Sequence, residues 1–484
     1  VHHPVWFVDL LIHKNYKEGG IPPSFLKMRN KFLKLKNNFY LRKEKREIIL
    51  YEIVATPLPI LGNVYHLASP AAVFLALCDG EKNNKEIFEI LHKVFNIVET
   101  DYQNMVKSYI KMGILEELDS PIPRESKYDP VEFVLPKEIV DVNPSNRLSF
   151  PLHLAVHLTS TCGCNCAYCY SERPLFSIKD LLPLERWKIL LSEFAEKGGA
   201  LVEFSGGDPL CYPHWDEIFK HCTSQKIKFS ISTKTKITHR IAEKLAESGV
   251  KVIQLSIDTF NEITAKKLQI PNPEDMIASI LNLKKQEIEV TTKSVVTALN
   301  AKEIPFLIRE LIDLGIKNIS VTQYFRSLFW HKDYLFAKKE EINELEEQIN
   351  LIKKAYPEIS IRTNFYTSLP DFDNRPYCGG IKNGLVIFAN GKYSICEQIP
   401  QNSYYCFGDA KKMSIGDIWN SEIMQKVILP PRELFRKNIC YECEEFESCH
   451  LGKGRCIRNA LICFGSEFAP DPSCPKAPKG KRLW

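Results

Sequence analysis

The hydrophobic and polar positions of this chain change their rhythm several times. Between residues 39 and 118, "REIILYEI" and "NVYHLA" read as strands. "SPAAVFLALC" then opens on a Ser-Pro helix start, and Asp79-Gly80 reads as a turn. In "KEIFEILHKVF", Ile87, Ile90, Leu91 and Val94 recur at helical spacing, and a second helix from about Asp101 runs out at Gly113. Strands followed by helices in so few residues predict a winged-helix-like α+β module.

From residue 149 the pattern becomes regular. "LHLAVHL", "ALVEFS", "IKFSIS", "VKVIQLSI", "EVTTKSVV" and "NISVTQ" are apolar runs of strand length, separated by helical stretches. In "LERWKILLSEFAEKGG", for instance, Trp187, Leu190, Leu191 and Phe194 form one face and glycines end the helix. Six strand-helix units predict a parallel sheet, closed or partly closed, within residues 149–365. Polar and glycine-bearing motifs follow the strands: a cysteine loop the first, "SGGDPL" the second, "STK" the third, "SIDT" the end of the fourth. All fall at strand carboxyl ends, where parallel sheets and barrels build their sites. Beyond residue 366 the periodicity gives way to turn-rich, cysteine-rich sequence.

Five segments result: an extension (1–38), the small module (39–118), a proline-bearing linker (119–148), the strand-helix domain (149–365) and the cysteine-rich region (366–484). "VWFVDLLI" near the start is too short for a membrane span and is interrupted by Asp9. With 64 basic and 59 acidic side chains the formal charge is +5, a nearly balanced surface that argues against nucleic acid as a partner, although the front module and the basic run between Lys27 and Arg46 keep a metal-stapled winged-helix nucleic-acid binder as a rival.

The 16 cysteines change the picture most. They cluster in short-spaced groups after residue 160, and no secretory signal precedes them, so a reducing cytoplasm and metal ligation are expected rather than a disulfide framework. In "TSTCGCNCAYCY", Cys162, Cys166 and Cys169 have the spacing C-x3-C-x2-C, with Cys164 as an extra sulfur. Three thiolates on one loop can hold three irons of a cubane and leave the fourth for a non-protein ligand. The motif, down to the aromatic Tyr168, resembles that of the radical S-adenosylmethionine (SAM) superfamily. The resemblance implies a partial (β/α)6 barrel and a [4Fe-4S] cluster on Cys162, Cys166 and Cys169 but not Cys164. It also implies SAM chelated at the open iron and cleaved to a 5′-deoxyadenosyl radical. It places Gly206, Gly207 and Asp208 against the SAM ammonium, with aspartate where the family has glutamate, and Ser232, Thr233, Ser256 and Asp258 against its ribose and carboxylate.

Cys378, Gly391 and Cys396, then Cys440, Cys443, Cys449, Cys456 and Cys474, resemble the SPASM domain, a carboxyl-terminal extension with two auxiliary [4Fe-4S] clusters. That likeness implies one cluster on Cys378, Cys396 and Cys456, with Cys463 as a substitute for Cys456 and with either Cys406 as fourth ligand or an iron left open for a substrate thiolate, and a second on Cys440, Cys443, Cys449 and Cys474. The departure from the family is the six-residue gap "HLGKGR" before Cys456, where three are usual. A zinc ribbon on Cys440, Cys443, Cys449 and Cys456 is the alternative. Cys78, Cys211 and Cys222 read as small buried hydrophobes.

Residues 39–118 resemble a precursor-peptide recognition element, which binds a leader peptide as an added strand. Together the resemblances imply a cytoplasmic maturase of ribosomal precursor peptides, with an electron donor such as flavodoxin or ferredoxin. The favoured product is a thioether crosslink. A carbon-to-carbon crosslink, or epimerisation with Cys406 or Cys463 returning a hydrogen atom, are the alternatives, and maturation of a folded enzyme such as a sulfatase is a further one. Glu397, directly after Cys396, is the candidate catalytic base.

Overall fold

A computed structural model describes residues 31–45, 47–56, 58–135, 147–172, 180–366, 368–369, 371–481 and 483. The expectations for "VWFVDLLI", for most of the extension and for the end of the linker lie outside these residues. The chain divides into two units, residues 1–55 with 60–143 and residues 56–59 with 144–484.

The first unit is α+β. Strands β1 (Phe32–Leu35), β5 (Asp79–Asn83) and β6 (Leu115–Leu118) form one antiparallel sheet with β1 in the middle. Strands β2 (Phe39–Lys43), β3 (Ile48–Thr56) and β4 (Leu58–Leu67) form another in sequence order. Helices α1 (Ser69–Leu77), α2 (Asn84–Phe95) and α3 (Glu99–Lys111) supply the core with Phe74, Ile87, Leu91, Tyr102 and Tyr109. Asn83 and Glu86 close a reciprocal capping box at the start of α2.

Three expectations need correction here. Asp79-Gly80 is not a free turn but opens β5, because its backbone pairs with β1. The unit begins before residue 39, since β1 is the strand that joins β5 and β6. The first part of the linker belongs to the unit as well: Ile122 and Arg124 donate backbone hydrogen bonds to Gly80 and Asp79, and Phe133 is buried in its core.

The second unit is built on a ten-stranded sheet. Strands β7 (His153–His157), β8 (Leu201–Ser205), β9 (Phe229–Thr233), β10 (Val252–Ser256), β11 (Glu289–Val296) and β12 (Asn318–Gln323) are the six expected from the apolar runs, and they lie side by side in parallel. Between them run α4 (Leu184–Glu196), α5 (Trp215–Ser224), α6 (His239–Glu247), α7 (Glu262–Leu268), α8 (Pro273–Lys285) and α9 (Ile304–Asp313). After α10 (Lys339–Ala355), β13 (Ser360–Asn364) pairs in parallel with β12. At the opposite edge β14 (Gly384–Ile387), from the cysteine-rich region, pairs in parallel with β7 and is followed by antiparallel β15 (Tyr393–Ser394) and β16 (Cys406–Phe407). The sheet is open, as its edges are β13 and β16.

Alternation along the strands separates two faces. Leu154, Val156, Val202, Phe204, Ile231, Ile253 and Leu255 join Trp187, Leu190 and Phe194 of α4 in one continuous core. The other face carries His153, Glu203, Ser230, Ser232, Gln254 and Ser256, all at least partly accessible. A polar, incompletely packed sheet face with its loops at the carboxyl ends is the frame for the site.

Candidate active site

The loop after β7 carries the cysteines. Cys164 Sγ lies 3.7 Å from Cys162 Sγ and 3.5 Å from Cys166 Sγ, and the Cys169 thiol points at the Ser171 carbonyl at 4.0 Å. The structure therefore places the extra sulfur between two expected ligands. Hydrogen bonding with Cys164 is the main influence holding the Cys166 thiol down at about 6. All 16 cysteines are free, so the disulfide reading is not realised.

The glycine turn packs on this loop. Gly207 N donates to Thr159 O and Asp208 N to Thr161 O, and a Cβ on Gly207 would stand 2.3 Å from Thr161 O. Gly206, at φ +105°, has room for no side chain because a Cβ would meet the His157 ring at 2.6 Å. The glycines thus permit the close approach of turn to cysteine loop.

The acidic and hydroxyl residues divide by face. Asp208 is buried and accepts from Thr233 Oγ1, from the backbone N–H of Lys234 and Thr235, and from Leu210 N. It fastens the turn after β8 to the end of β9. Asp258 is fully buried and accepts from Val295 N at 2.7 Å, from the Tyr168 hydroxyl and from Lys234 Nζ. Burial opposes the charge on Lys234, but Asp258 outweighs it and raises the ammonium above its ordinary value. Ser232, which accepts from Gln254 Nε2 at 2.5 Å, and Ser256 stay on the open polar face. Sequence reasoning left out Lys234, Gln254 and His157; the "STK" motif marked the first of these only as a strand end.

Glu397 reaches this end of the sheet from the cysteine-rich region. Its Oε2 lies 3.1 Å from His157 Nε2, on the last residue of β7, and accepts from Ser205 Oγ, on the last residue of β8, at 2.9 Å. Burial pushes its carboxyl up, but the His157 hydrogen bond and charge, with Ser205, hold it below the ordinary carboxylate value. Nearby, Glu172 accepts from Gln401 N at 2.8 Å.

The remaining cysteines fall into two sets. Cys378, Cys396 and Cys456 lie within electrostatic reach of one another. Cys440 is in the same relation to Cys443, Cys449 and Cys474. Cys463 and Cys406, the two further candidates, have partners of their own. Cys463 sits two turns, about 10 Å, beyond Cys456 along the helix Ile457–Phe464, and its thiol donates to Lys481 O. Cys406 bonds Ser394 Oγ and Pro400 O. Cys78 and Cys222 are buried, and Cys211 is half-buried beside Thr235.

Among the described residues no group of His, Cys, Asp or Glu is arranged to hold a single metal ion. The surroundings of the two cysteine sets suit a larger anionic group. Arg455 is buried, bonds the carbonyls of Glu467 and Ala469 and the Tyr405 hydroxyl, has no carboxylate partner among the described residues, and keeps an unbonded Nε. Its charge acts on both Cys440 and Cys378. Arg375, also buried, aims Nη2 at Cys449 Sγ at 3.7 Å and has the buried Asp471 carboxylate 3.9 Å from its Nε. A buried cation such as Arg455, beside neutral thiols and without a carboxylate of its own, is unfavourable unless negative charge accumulates there, as it does when iron-bound thiolates form. The cysteine sets therefore fit iron-sulfur clusters.

The family comparisons agree. Residues 156–304 match the radical SAM superfamily and residues 378–450 an iron-sulfur cluster-binding domain, SPASM. PqqA peptide cyclase of Xanthomonas oryzae pv. oryzae is 22% identical over 345 residues, covering 68% of this chain and 88% of the relative. The Bradyrhizobium diazoefficiens PqqA peptide cyclase is 25% identical over 348 residues, covering 68% and 87%. Streptococcus suis SuiB bound to S-adenosylmethionine shares the fold at TM-score 0.61 with 20% identity, covering 91% of this chain and 99% of that one. SuiB bound to precursor peptide SuiA gives the same TM-score and identity over 92% and 100%. No described helix is long and apolar enough to cross a membrane. With its cysteine loop, its polar sheet face and its cluster-binding carboxyl-terminal domain, the chain is a radical SAM enzyme of the SPASM-bearing kind, with SAM and [4Fe-4S] clusters as cofactors.

Proposed function

We propose that this protein is a maturase of a ribosomally made precursor peptide, acting in the cytoplasm, and that it forms a thioether between a cysteine sulfur and an unreactive carbon. The observation that carries the reading is the contact of Glu397 with His157 and Ser205, which brings the cluster-binding domain to the ends of the first two strands. The similarity to PqqA peptide cyclases and to SuiB, solved with its precursor peptide, supports a peptide as substrate.

In this reading Cys162, Cys166 and Cys169 hold the SAM-binding cluster, Cys378, Cys396 and Cys456 the first auxiliary cluster, and Cys440, Cys443, Cys449 and Cys474 the second. When bound, these groups supply the reductive cleavage of SAM to a 5′-deoxyadenosyl radical, which takes a hydrogen atom from the substrate carbon, and an outlet for the second electron of the oxidation. Gly206 and Gly207 let the turn lie on the cysteine loop, and Asp208, Thr233 and Asp258 fix the loops around it. Ser232 and Ser256 offer hydroxyls to SAM from the polar face. Forming a carbon-sulfur bond from C–H and S–H leaves one proton to remove. Glu397, kept ionised by His157 and Ser205, accepts it. The first unit, residues 31–135, holds the leader as an added strand, and a flavodoxin or ferredoxin delivers the reducing electron.

The test is anaerobic reaction of the reconstituted protein with SAM and the precursor peptide encoded beside its gene, in deuterated water, followed by mass spectrometry. Loss of two hydrogen masses per site, with the cysteine no longer alkylatable, is the expected result. Loss of two masses with a free cysteine would replace the thioether by a carbon-carbon crosslink. One deuterium fixed at carbon would replace it by epimerisation, and an unchanged peptide would remove the maturase reading.

A further inference from the structure

A cavity of about 600 Å³ in the second unit is lined by none of the cysteine-loop residues and takes no part in the chemistry above. Its volume is within the ordinary range of about 300–1,000 Å³ for ligand sites. One wall is Gln323, the last residue of β12, so the cavity opens at the same carboxyl end of the sheet as the cysteine loop. A second wall is the start of α10, with Lys339 and Ile342, and the third is the chain's last segment, including Lys479, Lys481 and Leu483.

That third wall is held in place. Lys481 N donates to Cys463 O, Cys463 Sγ to Lys481 O, and Arg326 N to Leu483 O at 2.7 Å. At Gly480 a Cβ would stand 2.6 Å from Cys463 Cβ, so the segment lies directly on the helix beneath it. The Gln323 side chain is fixed as well, accepting from Tyr366 N at 2.9 Å. The cavity is thus preformed, which lowers the cost of binding.

Its lining has a one-sided character. Ala337, Ile342, Ala477, Pro478 and Leu483 make it apolar, and among the described residues that line it the charged groups are three lysines with no Asp or Glu. Lys339, Lys479 and Lys481 are exposed, and none has an ion-pair partner among the described residues. A neutral apolar ligand would leave the three cations unused, whereas carboxylates spaced along an apolar stem satisfy both parts of the wall.

We propose that this cavity is a binding site for an acidic stretch of the peptide substrate in which Asp or Glu alternates with apolar residues. The inference rests on the peptide-maturase reading and adds a specificity to it. Acidic residues of the peptide lie against Lys339, Lys479 and Lys481, and the apolar side chains enter between Ile342 and Leu483, so the segment is anchored at the β12 edge while another part of the peptide lies at the cysteine loop.

The probe is a dye-labelled hexapeptide, Leu-Glu-Leu-Glu-Leu-Glu, titrated against the reconstituted full-length enzyme by fluorescence anisotropy, with Leu-Gln-Leu-Gln-Leu-Gln as its neutral counterpart. The acidic probe is expected to bind at least about tenfold tighter than the neutral one and to weaken as salt is added. The Lys479→Glu/Lys481→Glu and Lys339→Glu variants are each expected to lose about tenfold in affinity. Ala477→Trp, which fills the cavity without changing charge, is expected to abolish binding. All three variants should cleave SAM without peptide at the unaltered rate, which shows that they are folded. Equal binding of the two hexapeptides, undiminished binding by the charge-reversed or filled variants, or no binding at all would overturn the inference. Modification of the precursor peptide without hexapeptide binding defeats this site and leaves the maturase reading intact. Hexapeptide binding to an enzyme that leaves the precursor unmodified does the reverse.

Discussion

Cys164 is the sharpest question at the scale of single residues, because its sulfur stands between those of Cys162 and Cys166. The resemblance to the radical SAM motif implies Cys162, Cys166 and Cys169, and not Cys164, as the ligands. Cys164→Ala is therefore expected to retain the iron content and SAM cleavage of the parent, and Cys166→Ala to lose the SAM-binding cluster while the auxiliary clusters survive. Iron analysis and electron paramagnetic resonance read both outcomes, and loss of the cluster from Cys164→Ala would move the ligand set. Asp258 poses a separate question. It is fully buried against Lys234 and Tyr168, so Asp258→Ala leaves a buried ammonium unpaired, at a cost of about 3–5 kcal/mol. Chemical denaturation should show a loss of that size, and a change below about 1 kcal/mol would mean that the Asp258–Lys234 pair does not hold these loops together. The grouping of the cysteines was legible in the sequence because the members of each group are near neighbours in the chain. What Asp208, Thr233 and Asp258 bond to was not, because their partners Lys234, Thr235, Tyr168 and Val295 become neighbours only when strands stack.

Elements pair where backbone geometry permits, and local composition is a weaker guide. The six apolar runs were readable as strands because each buries one face in the common core. "DGEKN" has the composition of a turn and forms β5 because β1 offers it an edge. "GLVI" is a short apolar run in turn-rich sequence, and nothing local announces that it extends the sheet beside β7. The contact between α4 and the helix Ile415–Trp419 is of the same long-range kind. The Glu193 carboxylate accepts from Ile415 N at 2.8 Å and Gly416 N at 3.0 Å, at the positive end of that helix. Burial pushes its carboxyl up, but these bonds and Lys197 hold it below its ordinary value. A depressed carboxyl stabilises the fold above its unfolded pKa and loses that contribution as pH falls through the folded one. Glu193→Gln is thus expected to be about 2 kcal/mol less stable at neutral pH, with the difference closing below about pH 4.5. Melting curves across pH 3–7 check this, and a gap independent of pH would contradict it. Gly207→Ala should also be costly, since the 2.3 Å approach to Thr161 O leaves no space for a methyl group. The expected sign is a lower melting temperature together with weaker SAM binding.

For the whole molecule, the division between units lies well beyond the point where the first module's periodicity ends. Phe133 belongs to the core of the first unit and Ile122 and Arg124 pair with β5, so a cut at residue 120 would divide a folded body. A chain of residues 144–484 is expected to cleave SAM at the parent rate while failing to modify a leader-bearing peptide, whereas one beginning at residue 121 should aggregate more readily. Assays of 5′-deoxyadenosine and of peptide mass separate these results. Equal peptide turnover by 144–484 would remove the leader-binding role from the first unit.

The pairing of β14 with β7 bears on the order in which the molecule can be made. Synthesis proceeds from the amino end, and β7 is among the first strands of its sheet to leave the ribosome. One side of it is covered when β8 arrives, but its other row of amides and carbonyls has no partner until residues 384–387 emerge. For all that time the nascent chain carries an unpaired strand edge, a template for joining the wrong neighbour. Slower elongation over residues 205–384 should therefore lower the yield of soluble protein more than the same delay placed after residue 400.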